Sequence, residues 1–135
     1  MAGEIALIAQ LIFSEVDKNP KRFEKDAIAI AHVIKNRLSR PERFGSTLQD
    51  VVYAPYQFSG VNSNEWNKIS SGKTTAQEQK IYKRILQISN GVWNGTIKDS
   101  TSGADHYYNP KLAKPSWSKK MKKTYSSDAH DYYKE

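Results

Sequence analysis

Glu15 is the residue in this chain around which chemistry can most readily be built. It lies in the stretch Glu4-Ile5-Ala6-Leu7-Ile8-Ala9-Gln10-Leu11-Ile12-Phe13-Ser14-Glu15-Val16, the most apolar near the N-terminus. At helical periodicity Ile8, Leu11 and Ile12 share one face, and Glu15 falls inside that face, flanked by Ile5 and Val16. A carboxylate on the apolar side of a helix is costly unless it is paired or protonated. Desolvation is expected to raise its pKa, and a carboxyl kept partly neutral near pH 7 is suited to general-acid work. The helix alone leaves a second reading open. Glu15 is then a structural acid, either paired with an arginine or snorkelling outward from the rim of the face. Asn36-Arg37, near the end of the next helical pattern, is a source of hydrogen bonds to such a carboxylate.

The other chemistries have weaker support. His32, His106 and His130 are widely separated, with no His-x-x-x-His or His-Glu-x-x-His spacing. There are no cysteines, so disulfides, thiolate metal sites and thiol nucleophiles are excluded. No glycine-rich phosphate loop and no Gly-x-Ser-x-Gly occurs. The expectation is an activity with neither metal nor cofactor. The net charge of +7, with pI near 9.5, favours a polyanionic partner: nucleic acid, an anionic membrane or a bacterial wall. Aromatics make up 11% of the residues, including eight Tyr and three Trp, and suit stacking on sugars or on bases. No apolar run reaches the roughly 18 residues of a membrane span.

The elements that would position these residues are mostly helices, and the expected class is α+β, mainly α, in a single domain over 1–135. A first helix is predicted from about Gly3 to Asp17, stopped by Asn19-Pro20. A second runs from about Lys21 to Ser39, with Phe23, Ala27, Ile30, Ala31, Ile34 and Leu38 as its core face. On its other side Ala29, His32 and Asn36 form a strip that is either solvent face or the lining of a cleft against the first helix. Pro41 to Ser46 reads as a loop, and Thr47 as the N-cap of a short helix ending at Ala54-Pro55. Val61 to Lys73, rich in Asn and Ser, reads as a loop around Trp66. Thr75-Ala76-Gln77-Glu78 is a capping box opening a helix that reaches Asn90 or Trp93, with Ile81, Ile85 and Ile88 inward. Beyond Asp99 the helical period fades. Asp105 to Tyr108 and His130 to Tyr133 read as short strands, and Lys111 to Lys123 carries six lysines around Pro115-Ser116-Trp117. That segment is either a solvated face or a surface for an anionic polymer. Tyr56, Phe58, Trp66, Tyr107, Tyr108 and Trp117 fall in loops and strands, as satellite core or as stacking platforms.

Several segments occur in an order that resembles a known family. These are Ala9 to Glu15, Ile30-Ala31-His32-Val33-Ile34-Lys35-Asn36-Arg37, and Asp50-Val51-Val52-Tyr53-Ala54-Pro55-Tyr56-Gln57-Phe58-Ser59. Asn94 to Asp99 follows, then Gly103 to Pro110, Pro115-Ser116-Trp117 and His130-Asp131-Tyr132-Tyr133. Together they resemble the cell-wall hydrolase family of the spore cortex-lytic enzymes, of the SleB/CwlJ type. The likeness covers nearly the whole chain, and its most specific piece is Val-Val-Tyr-x-Pro-x-Gln-Phe-Ser. The chain departs from the family pattern in three places, one of them the C-terminal strand, which is altered. Val16-Asp17-Lys18-Asn19 stands where relatives have Ala-Arg-Gly-Glu, and Gly60 stands where they often have Cys.

The resemblance implies a lysozyme-like fold with a small β or irregular C-terminal lobe. It also implies cleavage of the glycan of bacterial peptidoglycan, usually as a lytic transglycosylase, with Glu15 as the catalytic acid. Gln57, Ser59, Tyr107 and Tyr108 are the candidate substrate-positioning residues, and Asn36 is expected to be structural. A hydrolytic lysozyme route would want a second acid, from Asp50, Asp99 or Asp105. In a different class, the basic and aromatic composition would suit a nucleic-acid-binding module, although no nucleic-acid motif is present. The favoured expectation is a monomer acting on peptidoglycan, with no nucleic-acid partner and no transmembrane segment. Met-Ala-Gly-Glu does not open a secretory signal, so the expected setting is a phage-type lysin, released through a membrane hole or carried on the virion.

Overall fold

A computed structural model of the chain describes residues 2–54 and 57–135. Three helices carry the core. Helix α1, Ala2–Glu15, buries Ile8, Ala9, Leu11, Ile12 and Phe13. Helix α2, Phe23–Leu38, has Glu24 and Asp26 in its first turn and Lys35 and Arg37 in its last, the arrangement its dipole favours. Two short helices follow, α3 at Pro41–Phe44 and α4 at Leu48–Val52, and then α5 at Asn64–Ser71. Helix α6, Ala76–Trp93, is opened by the capping box that the sequence announces. Glu78 N donates to Thr75 Oγ1, and Thr75 N donates to the Glu78 carboxylate. Its Ile81, Ile85 and Ile88 point inward, and α6 packs against both α1 and α2. Among the described residues no helix is long and apolar enough to cross a membrane.

A three-stranded antiparallel sheet forms the C-terminal lobe. Strands β1 (His106–Tyr108), β2 (Lys122–Ser126) and β3 (Asp131–Lys134) lie in the order β1-β3-β2. Tyr107 pairs with Tyr132, and an irregularity between Lys123 and Tyr125 shifts the β2 register. A 3₁₀ turn at Ser116–Lys119 sets Trp117 between His106, Tyr108 and Tyr133.

Three local expectations need correction, and one strand was not foreseen. Pro41 to Ser46 is not all loop, because Pro41 begins a single helical turn. Val61 to Lys73 contains α5. Ser63 caps it by accepting from Trp66 N, Gly72 ends it in the left-handed conformation at φ 70°, and Trp66 anchors it in the core. The lysine segment runs into β2, which the pairing with β3 sustains despite a lysine-rich sequence. The strip Ala29, His32 and Asn36 is neither solvent face nor cleft wall against α1. Ala29 and His32 are buried, His32 Nε2 meets the Ile97 carbonyl, and Asn36 Nδ2 donates to the Asp99 carboxylate and to the Ala104 carbonyl. The segment from Ile97 to Ala104 therefore covers that side of α2.

Candidate active site

The last residue of α1 meets the last turn of α2, the loop after α4, strand β1 and the residue before β3. Between them lies a cleft of about 490 Å³. Glu15, Gln57, Ser59, Tyr107 and Tyr108 all line it. The structure thus brings the expected acid and the four expected substrate-positioning residues together, from segments as distant as α1 and β1. Tyr56 lies outside the described residues. Phe58 and Trp66 are buried core, while Trp117 packs behind Tyr108.

Because Glu15 ends α1, it stands at the rim of the apolar face and is only partly buried. Among the described residues each of its oxygens has one donor. The Tyr107 hydroxyl donates to Oε1 at 2.5 Å, and the Ser59 hydroxyl donates to Oε2 at 3.3 Å. Among the described residues no lysine or arginine forms an ion pair with it, so it is not the arginine-paired acid of the structural reading. Burial, with the charge and hydrogen bond of Glu15, pushes the Tyr107 phenol well above its usual 10, so the hydroxyl stays a donor. The Tyr107 ring is held against Tyr132 at 5.4 Å and edge-on to His130 at 5.2 Å.

Gly60 sits directly behind the carboxylate. A Cβ built there would collide with Ser14 Oγ and lie 2.5 Å from Glu15 Oε2. The Ser14 side chain occupies the space that a side chain at position 60 would need.

Arg37 forms another wall. Its guanidinium is 3% exposed. Nε donates to the Asp105 carbonyl at 2.7 Å, Nη1 donates to Gln57 Oε1 at 3.2 Å, and the group lies against the rings of Phe44 and Phe58. Burial lowers its pKa, but an arginine remains charged. Arg37 therefore orients Gln57 toward the cleft and does not bind Glu15.

None of the candidate second acids lines the cleft. Burial alone would raise Asp99 and Asp105, but their hydrogen bonds prevail and hold both below the ordinary carboxylate value. Asp99 accepts from Thr101 and Asn36, and Asp105 from His106, Arg40 and Glu135 N. They tie loops together. Asp50 lies in the first turn of α4, with its side chain close against Gly45. Among the described residues lining the cleft, Glu15 is the one carboxylate.

Sequence reasoning did not assign Ser14, Asn109 or His130 to the cleft, nor Asp26 beneath it. His130 and Asp26 are 104 residues apart, and neither spacing nor periodicity joins them. The His-Asp-Tyr-Tyr segment was the only pointer to His130.

Comparison with known proteins adds to this geometry. A family model described as Cell Wall Hydrolase matches residues 22–133, which include every candidate cleft residue above except Ser14 and Glu15. The fold is that of the catalytic domain of the Bacillus cereus SleB protein, at 22% identity and a TM-score of 0.66, covering 99% of this chain and 91% of that one. It is also that of the catalytic domain of the germination-specific lytic transglycosylase SleB from Bacillus anthracis, at 22% identity and a TM-score of 0.64, covering 97% and 93%. No curated protein matches the chain. The architecture is accordingly α+β, mainly α, and lysozyme-like, as the sequence led us to expect.

Proposed function

The chain belongs to the cell wall hydrolase family, and from that premise we propose that it is a peptidoglycan lytic transglycosylase using Glu15 as its single acid and base. The observation that carries this reading is the cleft itself: one carboxylate, clasped by Tyr107 and Ser59, with no second acid among the described residues that line it. A two-carboxylate glycosidase needs a nucleophile or a base opposite the acid. An intramolecular nucleophile removes that need.

In this mechanism protonated Glu15 gives its proton to the oxygen of the bond joining N-acetylmuramic acid to N-acetylglucosamine. The bond breaks through an oxocarbenium-like state. The muramic 6-hydroxyl attacks its own anomeric carbon, and the Glu15 carboxylate takes the hydroxyl proton. The product carries a 1,6-anhydro end, and no water is consumed. Tyr107, a donor at 2.5 Å, stabilises the carboxylate formed midway, and Ser59 and Gln57 are placed to orient the sugar. The Bacillus anthracis relative is a germination-specific lytic transglycosylase, which agrees with this assignment. Mass spectrometry of digested purified peptidoglycan tests it. Anhydro ends, one water lighter than reducing ends, are expected, and exclusively reducing ends would make the enzyme a hydrolase.

A further inference from the structure

One polar assembly in the cleft takes no part in the mechanism above. Asp26, on α2, is 1% exposed, and no lysine or arginine forms an ion pair with it among the described residues. Burial alone would raise it. Its hydrogen bonds from His130, Ser127 and Tyr132 more than offset burial and keep it ionised at neutral pH. The Tyr132 hydroxyl donates at 2.6 Å, the Ser127 hydroxyl donates as well, and His130 Nδ1 lies 3.1 Å away. An ionised carboxylate only accepts, so Nδ1 carries the hydrogen. In the neutral ring, Nε2 is then left with its lone pair.

His130 is a lining residue, and Nε2 bonds to no described protein group. His130 is 7% exposed, and among the described residues Thr124 Oγ1 is the one side-chain polar atom sealed away without a partner. Arg37, Ser59 and Tyr108 line the same cleft. A bound N-acetyl sugar brings both acceptors and donors, and its hydroxyl and acetamido N–H groups need acceptors in turn.

We propose that His130 is a substrate-contacting residue, whose Nε2 accepts a hydrogen bond from a hydroxyl or acetamido N–H of the bound glycan, and that Asp26 is the positioning residue that sets its tautomer. This rests on the glycan-cleaving reading of the same cleft. Asp26 acts on the sugar only through the imidazole, as the outer carboxylate of a histidine pair does elsewhere. The competing role for His130 is a prop for the Tyr107 ring, which it meets edge-on. A prop would act through Glu15 and would leave Nε2 untouched by ligand.

Nitrogen NMR of the ¹⁵N-labelled Glu15→Gln protein separates the two, because that variant binds without turnover. The chain has three histidines, and His130→Gln identifies the signals of the third. The free protein is expected to show a protonated Nδ1 and a bare Nε2 at His130. A soluble tetrasaccharide of alternating N-acetylglucosamine and N-acetylmuramic acid is expected to shift Nε2. Adding His130→Ala to the same background should weaken tetrasaccharide binding about tenfold, the order of one hydrogen bond. His130→Gln, with a carbonyl acceptor, should recover part of that. Tetrasaccharide binding with Nε2 unmoved, or equal affinity in His130→Ala, would overturn the proposal and leave the glycan reading standing. Failure of the tetrasaccharide to bind at all would overturn both.

Discussion

Replacing Gly60 by alanine should disable the enzyme without removing any polar group of the cleft. The new Cβ would collide with Ser14 Oγ, and would stand 2.9 Å from Ser14 Cβ and 2.5 Å from Glu15 Oε2. Ser14 cannot move aside cheaply, because it is fixed on α1 and its hydroxyl donates to the Leu11 carbonyl at 2.6 Å. The loop or the end of the helix must shift instead, and the carboxylate shifts with it. Overpacking of this kind costs about 1–3 kcal/mol, which corresponds to a Tm lower by roughly 3–10 °C. Displacing a catalytic group by about 1 Å costs on the order of 100-fold in rate. Clearing of purified peptidoglycan suspensions gives the rate, and thermal melting gives the Tm. Ser14→Gly combined with Gly60→Ala removes both serine contacts and leaves only the flexible tip of Glu15 to adjust. The double variant should therefore be faster than Gly60→Ala alone and recover part of its Tm. Full activity and an unchanged Tm in Gly60→Ala would refute the steric account.

Three further outcomes follow from the same structure. Tyr107→Phe removes the 2.5 Å donor to Glu15 and should lower kcat by about 100-fold, as loss of one preorganised donor does, with KM little changed in steady-state digestion. Asp26, Asp99 and Asp105 each have a folded-state pKa below the unfolded value of 3.8. Their contribution is full above that value and is lost as pH falls through the lower folded value, so Tm should be steady between about pH 5 and 7 and fall below about pH 4. Ile85→Ala, at a fully buried position of α6 between α1 and α2, should cost about 2–5 kcal/mol in denaturant unfolding, with m unchanged.

The helices that build the core were legible because their sequence signals are local. The isoleucines of α6 follow a helical period behind a capping box, and α2 repeats its apolar residues over four turns. Helix α5 was not, because its Asn and Ser content has the composition of a loop. Its identity depends on Ser63 and Gly72 as caps and on Trp66 reaching the core. Strand β2 exists through its pairing with β3, which no lysine-rich segment signals on its own. In the site, periodicity placed Glu15 within the apolar face of α1 and left its place at the rim as one of two structural alternatives, because only the end of the helix at Glu15 decides between them. Tyr107, 92 residues away, was tied to it only by resemblance to a family. Asp26 was invisible, since a charged residue in the first turn of a helix is ordinary and its histidine partner arrives from the far end of the chain.

The central claim is that cleavage of the wall glycan depends on the Glu15 carboxyl. Glu15→Gln keeps the shape of the side chain and removes the proton it would give. Wild type and variant should be compared on purified peptidoglycan, with released glycan ends quantified and Tm measured on the same samples. A loss of at least about 100-fold in the rate of release, with Tm retained, is the predicted result. Release by Glu15→Gln at the wild-type rate would contradict the account.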